Sequence, residues 1–233
     1  SCETMAFDGF SKDFFKFFRE LARNNDREWF EANKSRYREQ VIAPISDFIV
    51  AVAPRLEKIS PHFRADPRPS GGSMFRIHRD VRFSRDKSPY KTHAAAHFRH
   101  ERAKDAHAPG FYLHLEPRRV MFGAGMWRAE PSALSQIRKA IADDARLWSG
   151  MKSAKSMARF GGLSREDALA RAPKGFDPDH PLIEDLKLKS FFLMAQASEA
   201  DAALPGFVTQ AAKAYADAAP LMRFLCRAVK VRF

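Results

Sequence analysis

The hydrophobic period of this chain changes near Ser73, and no other feature constrains its fold as strongly. Before that point apolar residues recur at helical spacing. Ser11 precedes a stretch that carries Phe14, Phe17, Phe18 and Leu21 on one helical face. Asn25, with Glu28 three residues on, reads as a capping box for a second helix bearing Trp29, Phe30 and Tyr37. Val41, Ile45, Phe48, Ile49, Val52 and Leu56 continue the spacing, with Pro44 and Pro54 expected to kink or break it. A loop rich in Pro and Gly follows over residues 60–72. Beyond it the period is two. Phe75, Ile77, Val81 and Phe83 alternate with Arg76, His78, Asp80 and Arg82, which predicts a strand with one buried face.

The same rule predicts strands at Thr92–Arg99, Phe111–Glu116 and Val120–Gly125, and connections too short for crossover helices point to antiparallel order. Pro131–Ala142 reads as a helix, Ala172–Pro181 as a Pro-rich break and Phe191–Ala197 as one more strand. Phe207, Ala211, Tyr215, Leu221, Phe224, Leu225 and Ala228 suggest closing helices, interrupted near Pro220. Helices, a meander and helices again make an α+β plan, a central antiparallel sheet packed with N- and C-terminal helices. Residues 1–9 read as a tail, with Met5 as its initiator, and 10–233 as a single domain undivided by repeat or linker.

Forty Lys and Arg against 28 Asp and Glu leave a formal charge of +12, a field that attracts polyanions and anionic metabolites. Ten of the basic residues fall between Ser60 and Arg102, against Asp66, Asp80, Asp86 and Glu101, so this stretch holds half the net charge. Arg223, Arg227, Lys230 and Arg232 add a basic C-terminus. Two cysteines, Cys2 and Cys226, build no disulfide framework, which fits a reducing compartment. No apolar run nears the roughly 20 residues of a membrane span, and no signal-peptide pattern opens the chain. The expectation is a cytoplasmic protein without membrane contact.

The stretch from Arg76 to Lys91 is the densest in chemistry. Arg79 takes a position where alternation calls for an apolar residue, and a guanidinium there needs a bulge or a carboxylate. Asp80 points to the opposite face, so an acid from the helical layer is the expected partner. The functional alternative is a planar fork for phosphate or carboxylate. After Phe83 the alternation stops and residues 84–90 read as a turn. On the functional reading Arg76, Arg79, Arg82, Lys87, Tyr90 and Lys91 bind a small anion, and Asp80 and Asp86 orient the cations. Lys87, Tyr90 and Asp80 are then the candidates for acid–base catalysis. A buried arginine staple with a polar hairpin tip has the same composition.

The run RIHRDVRFSRDKSPYKT over residues 76–92, with GFYLHLEP (Gly110 to Pro117) and GAGMW (Gly123 to Trp127), resembles the bacterial family catalogued as domain of unknown function 2461. NNDREWFEANK (Asn24 to Lys34) and APKGFDPDHP (Ala172 to Pro181) are similar to it too, and the resemblance spans Phe10 to Val229. It implies a single-domain bacterial protein and carries no activity. It directs attention to Arg76, Arg79, Asp80, Arg82, Phe83, Asp86, Lys87 and Tyr90. Arg128 departs from the histidine that the resemblance leads one to expect after Trp127.

His62, His78, His93, His97 and His100 fall in the basic segment. Alternation lets His78, His93, His97, Tyr112, His114 and Glu116 share a polar sheet face. His93 and His97 stand about 13 Å apart along a strand, so joint ligation of a metal needs a second strand. No HExxH or CxxC spacing occurs, and the expectation is no metal and no cofactor. There is no G-x-S-x-G elbow, Cys226 sits in an apolar helical pattern, and Gly123-Ala124-Gly125 reads as an anion-binding turn before a helix or as a bulge. Three functions compete: a pocket for a small anionic ligand, with or without catalysis; a nucleic-acid-associated protein using the basic belt from Arg64 to Arg102; and an architectural motif in a protein-interaction module. The first requires the motif side chains to converge on a cavity, and the second an exposed basic stripe. The third requires internal acceptors for every motif charge.

Overall fold

The computed structural model describes residues 6–103 and 108–233; Cys2 and Met5 lie outside the described residues. Helix α1 (Lys12–Arg23) follows Ser11 and buries Phe14, Phe15, Phe17, Phe18 and Leu21. Helix α2 (Arg27–Ala32) is capped by Asp26, whose carboxylate accepts from the Trp29 backbone N–H. The expected cap, Asn25, pairs instead with the backbone of Tyr90, donating to its carbonyl at 2.9 Å and accepting from its N–H at 3.1 Å. Helix α3 (Lys34–Tyr37) passes through a π-helical turn, Arg38–Ile42, into α4 (Ala43–Ile59). Pro44 closely follows the π-helical turn, where it lacks the N–H that would continue the helical bonding, yet the helix runs on through it. Pro54 does not end the helix, which buried Val52 and Leu56 hold in place on either side of it.

Strands β1 (Ala94–Arg99), β2 (Gly110–Glu116), β3 (Arg119–Met126) and β4 (Phe191–Ala197) form one antiparallel sheet in that order. Between β3 and β4 run α5 (Pro131–Asp143), α6 (Ala145–Lys152), a 3-10 turn at Lys155–Phe160 and α7 (Ile183–Leu186). Helices α8 (Glu199–Ala202), α9 (Phe207–Asp217) and α10 (Ala219–Ala228) close the chain, and the fold is α+β.

Register sorts the sheet into two faces. Ala96, Leu113, Phe122 and Ala195 form one cross-strand row, and Phe98, Phe111, Ala124 and Leu193 the next. All are buried, and this face packs on the closing helices: the Phe122 ring lies 5.1 Å from Phe207, and Phe111 5.2 Å from Tyr215. The buried side chains form one cluster from Phe7 to Cys226, and large ones each contribute about 1.5–3 kcal/mol. Phe7, in the expected tail, belongs to that cluster, with its ring 5.0 Å from Phe10 and 5.4 Å from Phe48. No helix among the described residues is long and apolar enough to cross a membrane.

The strand expected over Phe75–Phe83 does not form. This segment makes only isolated pairs, Met74 opposite Ala96 and His78 opposite Tyr90. Backbone bonds from Phe75 to Ala95 and from His97 to Ser73 tie its start to β1. Bonds from Arg79 to Pro89 and from Lys91 to Ile77 then fold it back on itself. Past Asp80, lysine and arginine side chains take the carbonyls that a neighbouring strand would use, and Phe83, expected inside, is 95% exposed.

Candidate functional site

The Arg76–Lys91 stretch divides into a self-braced loop and its base. Arg79, with its side chain 26% exposed, donates to the Ser88 carbonyl at 2.8 Å and pairs with the Asp86 carboxylate at 3.3 Å. Its partner is thus the turn it closes, not an acid of the helical layer. Arg82 forks onto Asp80 at 3.0 and 2.8 Å, and these bonds draw the Asp80 carboxyl down to about 2. The Ser88 hydroxyl and N–H hold Asp86 below the usual carboxylate range, and Lys87 Nζ donates to the Val81 carbonyl at 2.8 Å. Tyr90 is buried, its ring stacked 4.2 Å from Phe30, and burial pushes its phenol up. None of these six side chains lines the cavity that lies over the sheet. Arg76 and Lys91, at the base of the loop, face it.

That cavity, of about 790 Å³, lies over the sheet face opposite the closing helices. Alternate residues make its floor: His97 of β1, Tyr112 and His114 of β2, Met121 of β3, Phe192 and Met194 of β4. Phe75 and Trp127 flank it, and residues 160–164 with Glu166 close a side. Such a volume suits a small-molecule ligand. Gly110 stands where a Cβ would meet His97 Nε2 at 2.1 Å, and Gly123 where it would meet the Phe192 ring at 2.6 Å. Gly125 has φ +134 and lies against the Phe191 carbonyl. The Gly123–Gly125 pair therefore serves close packing inside β3, not an anion-binding turn ahead of a helix.

Along β2 the residues Tyr112, His114 and Glu116 share this face and form a hydrogen-bonded chain. The Tyr112 oxygen is 2.9 Å from His114 Nδ1, and His114 Nε2 is 2.8 Å from Glu116 Oε1. With Nε2–H donating to the carboxylate, Nδ1 accepts from the phenol. The ring of His93 stacks on His114 at 4.5 Å. Burial pushes the Tyr112 phenol up to about 12 and lowers His114; burial, then the neighbouring His114, brings His93 down to about 4. Burial thus disfavours the charged form of both imidazoles. Lys91 is lowered by burial and then by Arg76, to whose carbonyl its Nζ donates at 2.7 Å. Arg76 and Arg119 form no ion pair among the described residues.

Of the polar face expected from alternation, His93, His97, Tyr112, His114 and Glu116 are in place. His78 is not: its ring packs against Tyr90 at 5.5 Å and Phe30 at 6.4 Å. Arg119 escaped notice although it stands directly opposite Glu116 in the β2–β3 hairpin. Trp127 closes the GAGMW run and Phe192 falls in the expected strand Phe191–Ala197, but nothing in either, or in the 160–166 segment, marked a cavity wall.

Fold and site together define an α+β domain whose sheet carries helices on one face and a basic, histidine-lined cavity on the other. The chain belongs to the family described as conserved hypothetical protein (DUF2461), whose model matches residues 13–224. No curated protein and no solved structure matches it. That description names no activity, and function has to be argued from the site itself.

Proposed function

We propose that the chain binds a small anionic molecule, phosphate- or carboxylate-bearing with an apolar or planar body, in the cavity on the sheet. The observation that carries this reading is the convergence of Arg76, Lys91 and Arg119 on one cavity, with Glu166 the one acid among its described lining residues. Guanidinium groups offer paired donors to such anions, and a partly enclosed site screens them less than open water does. Phe75, Trp127 and Phe192 supply apolar surface for the rest of the ligand. Arg76 and Lys91 keep the ligand-binding role read from the sequence. Arg79, Arg82, Lys87 and Tyr90, with Asp80 and Asp86, support the loop from whose base they arise. The low cysteine count favours a cytoplasmic setting.

Thermal melts at constant ionic strength test the proposal, with inorganic phosphate, sulfate and a panel of phosphorylated and aromatic carboxylate compounds. A ligand at 100 times its Kd adds about 2.7 kcal/mol, which in a chain of this size raises Tm by about 5 °C or more. Arg76→Ala and Arg119→Ala should remove most of the shift, and Arg82→Ala none of it. A panel without any shift, or an equal loss in Arg82→Ala, would overturn the reading.

A further inference from the structure

His93, His114 and Glu116 meet at one corner of the cavity, with a potential ligand atom of each within 4.8 Å of the others. Two features set the group apart from an ordinary hydrogen-bonded pair. Tyr112 occupies Nδ1 of His114, which fixes the ring and directs Nε2 toward Glu116. A metal-ligating imidazole is held in this way through its other nitrogen. His93, half-buried and stacked on His114, makes no hydrogen bond among the described residues, so its ring nitrogens are available to a ligand.

We propose that His93, His114 and Glu116 bind one divalent first-row transition cation, with Tyr112 orienting His114 and the remaining coordination positions open to the cavity. Two imidazoles and a carboxylate suit zinc, iron(II) or cobalt(II) better than calcium or magnesium, which take oxygen ligands. Bonds of about 2.0–2.2 Å leave neighbouring ligand atoms about 3–3.5 Å apart, so side-chain rotation by about an ångström closes the set. The proton now between His114 Nε2 and Glu116 moves to Nδ1, whose N–H then donates to the Tyr112 oxygen. The imidazole stays neutral throughout. Arg76, Lys91 and Arg119 oppose a bare dication, and an anion held by them offsets that repulsion and can fill an open position. Chain spacing conceals the set, because His93 precedes β1 while the other two ligands lie on β2. It requires no anion, and the anion reading requires no metal.

The test uses protein stripped with EDTA, dialysed into metal-free buffer and titrated with zinc or cobalt(II) ions. One equivalent should bind, cobalt should develop the visible absorption of a low-symmetry site with nitrogen ligands, and zinc should move the imidazole nitrogen resonances of His93 and His114. His93→Ala and Glu116→Gln should each weaken binding at least about tenfold, and Tyr112→Phe about tenfold. His62→Ala, far from the set in sequence and paired with Glu101, should leave it unchanged. Should a variant fail to fold, the cobalt spectrum and ring resonances of the wild type still decide. No stoichiometric binding, unmoved ring resonances, or binding that survives both ligand substitutions would overturn the proposal. Phosphate melts repeated in EDTA isolate the anion site, whose failure would leave the metal titration unaffected.

Discussion

Arginine is tolerated at position 79 because its donors find acceptors within their own loop: the carbonyls of Ser88 and Asp86, the Asp86 carboxylate, and the Ser84 hydroxyl at 3.5 Å. Lysine keeps the charge but not the fork. Arg79→Lys should therefore cost about 1–2 kcal/mol, read from urea midpoints, and the loss should be the same with and without phosphate. A loss confined to the phosphate-bound protein would return Arg79 to the ligand site. Tyr90 is constrained by its ring, stacked on Phe30, and by its backbone, whose carbonyl accepts from the Asn25 side-chain amide and whose N–H donates to it. Tyr90→Phe should thus melt near the wild type, while Tyr90→Ala should lose about 3–5 kcal/mol as a cavity opens. At this scale the sequence showed which residues break pattern but not what they touch. Arg79 stood out by type, yet whether its donors meet a helix or a turn depends on where the backbone bends.

Alternation predicted β1 to β4 well because each has a neighbour in register and one face against helices. The Phe75–Phe83 segment alternates as regularly and is not a strand, since side-chain donors satisfy its carbonyls in place of a second ladder. Periodicity reports a half-buried extended chain and is silent on hydrogen-bond partners. The same limit hid Asp185 in the four-residue helix α7. It is 3% exposed and accepts from Trp148 Nε1 at 2.7 Å, Lys152 Nζ at 2.6 Å and Arg165 Nη2 at 2.6 Å. Arg165 belongs to the segment that walls the cavity, so this acid fixes the wall to the helical layer. Burial alone would raise the Asp185 carboxyl; the three donors outweigh it, and the group is lowered. A carboxyl depressed on folding stabilises fully above its unfolded value of about 3.9, and the contribution is lost as pH falls through the folded value. Asp185→Asn should accordingly cost about 3–5 kcal/mol at pH 7, and the gap to wild type should close below about pH 4. A gap that stayed constant down to pH 3 would show that the ion cluster contributes nothing to stability.

Across the whole molecule, the segment from Phe7 onward and the closing helices are built into one core. The Phe10 N–H donates to the Ala202 carbonyl at 2.7 Å, and a Cβ on Gly9 would meet the Ala203 carbonyl at 2.1 Å. Phe207 on α9 touches Phe10 at 5.9 Å and Phe48 at 5.7 Å, and the ring of His100 reaches the Arg232 carbonyl at 2.6 Å. Such contacts leave no periodic trace, which is why the sequence suggested one domain only through the lack of a linker. The closing helices lie on the sheet and the N-terminal helix α4 packs on α9, so neither end of the fold can bury its apolar face alone. Unfolding should therefore be one cooperative event, with calorimetric and van't Hoff enthalpies in agreement and near-UV and far-UV signals lost together. A chain truncated after Ala202 would leave Phe111 and Phe122 without the rings of Phe207 and Tyr215, and should show no native near-UV spectrum. Two resolved transitions, or a protease-resistant fragment that keeps native ellipticity without α9 and α10, would divide the molecule into units that its packing says are inseparable.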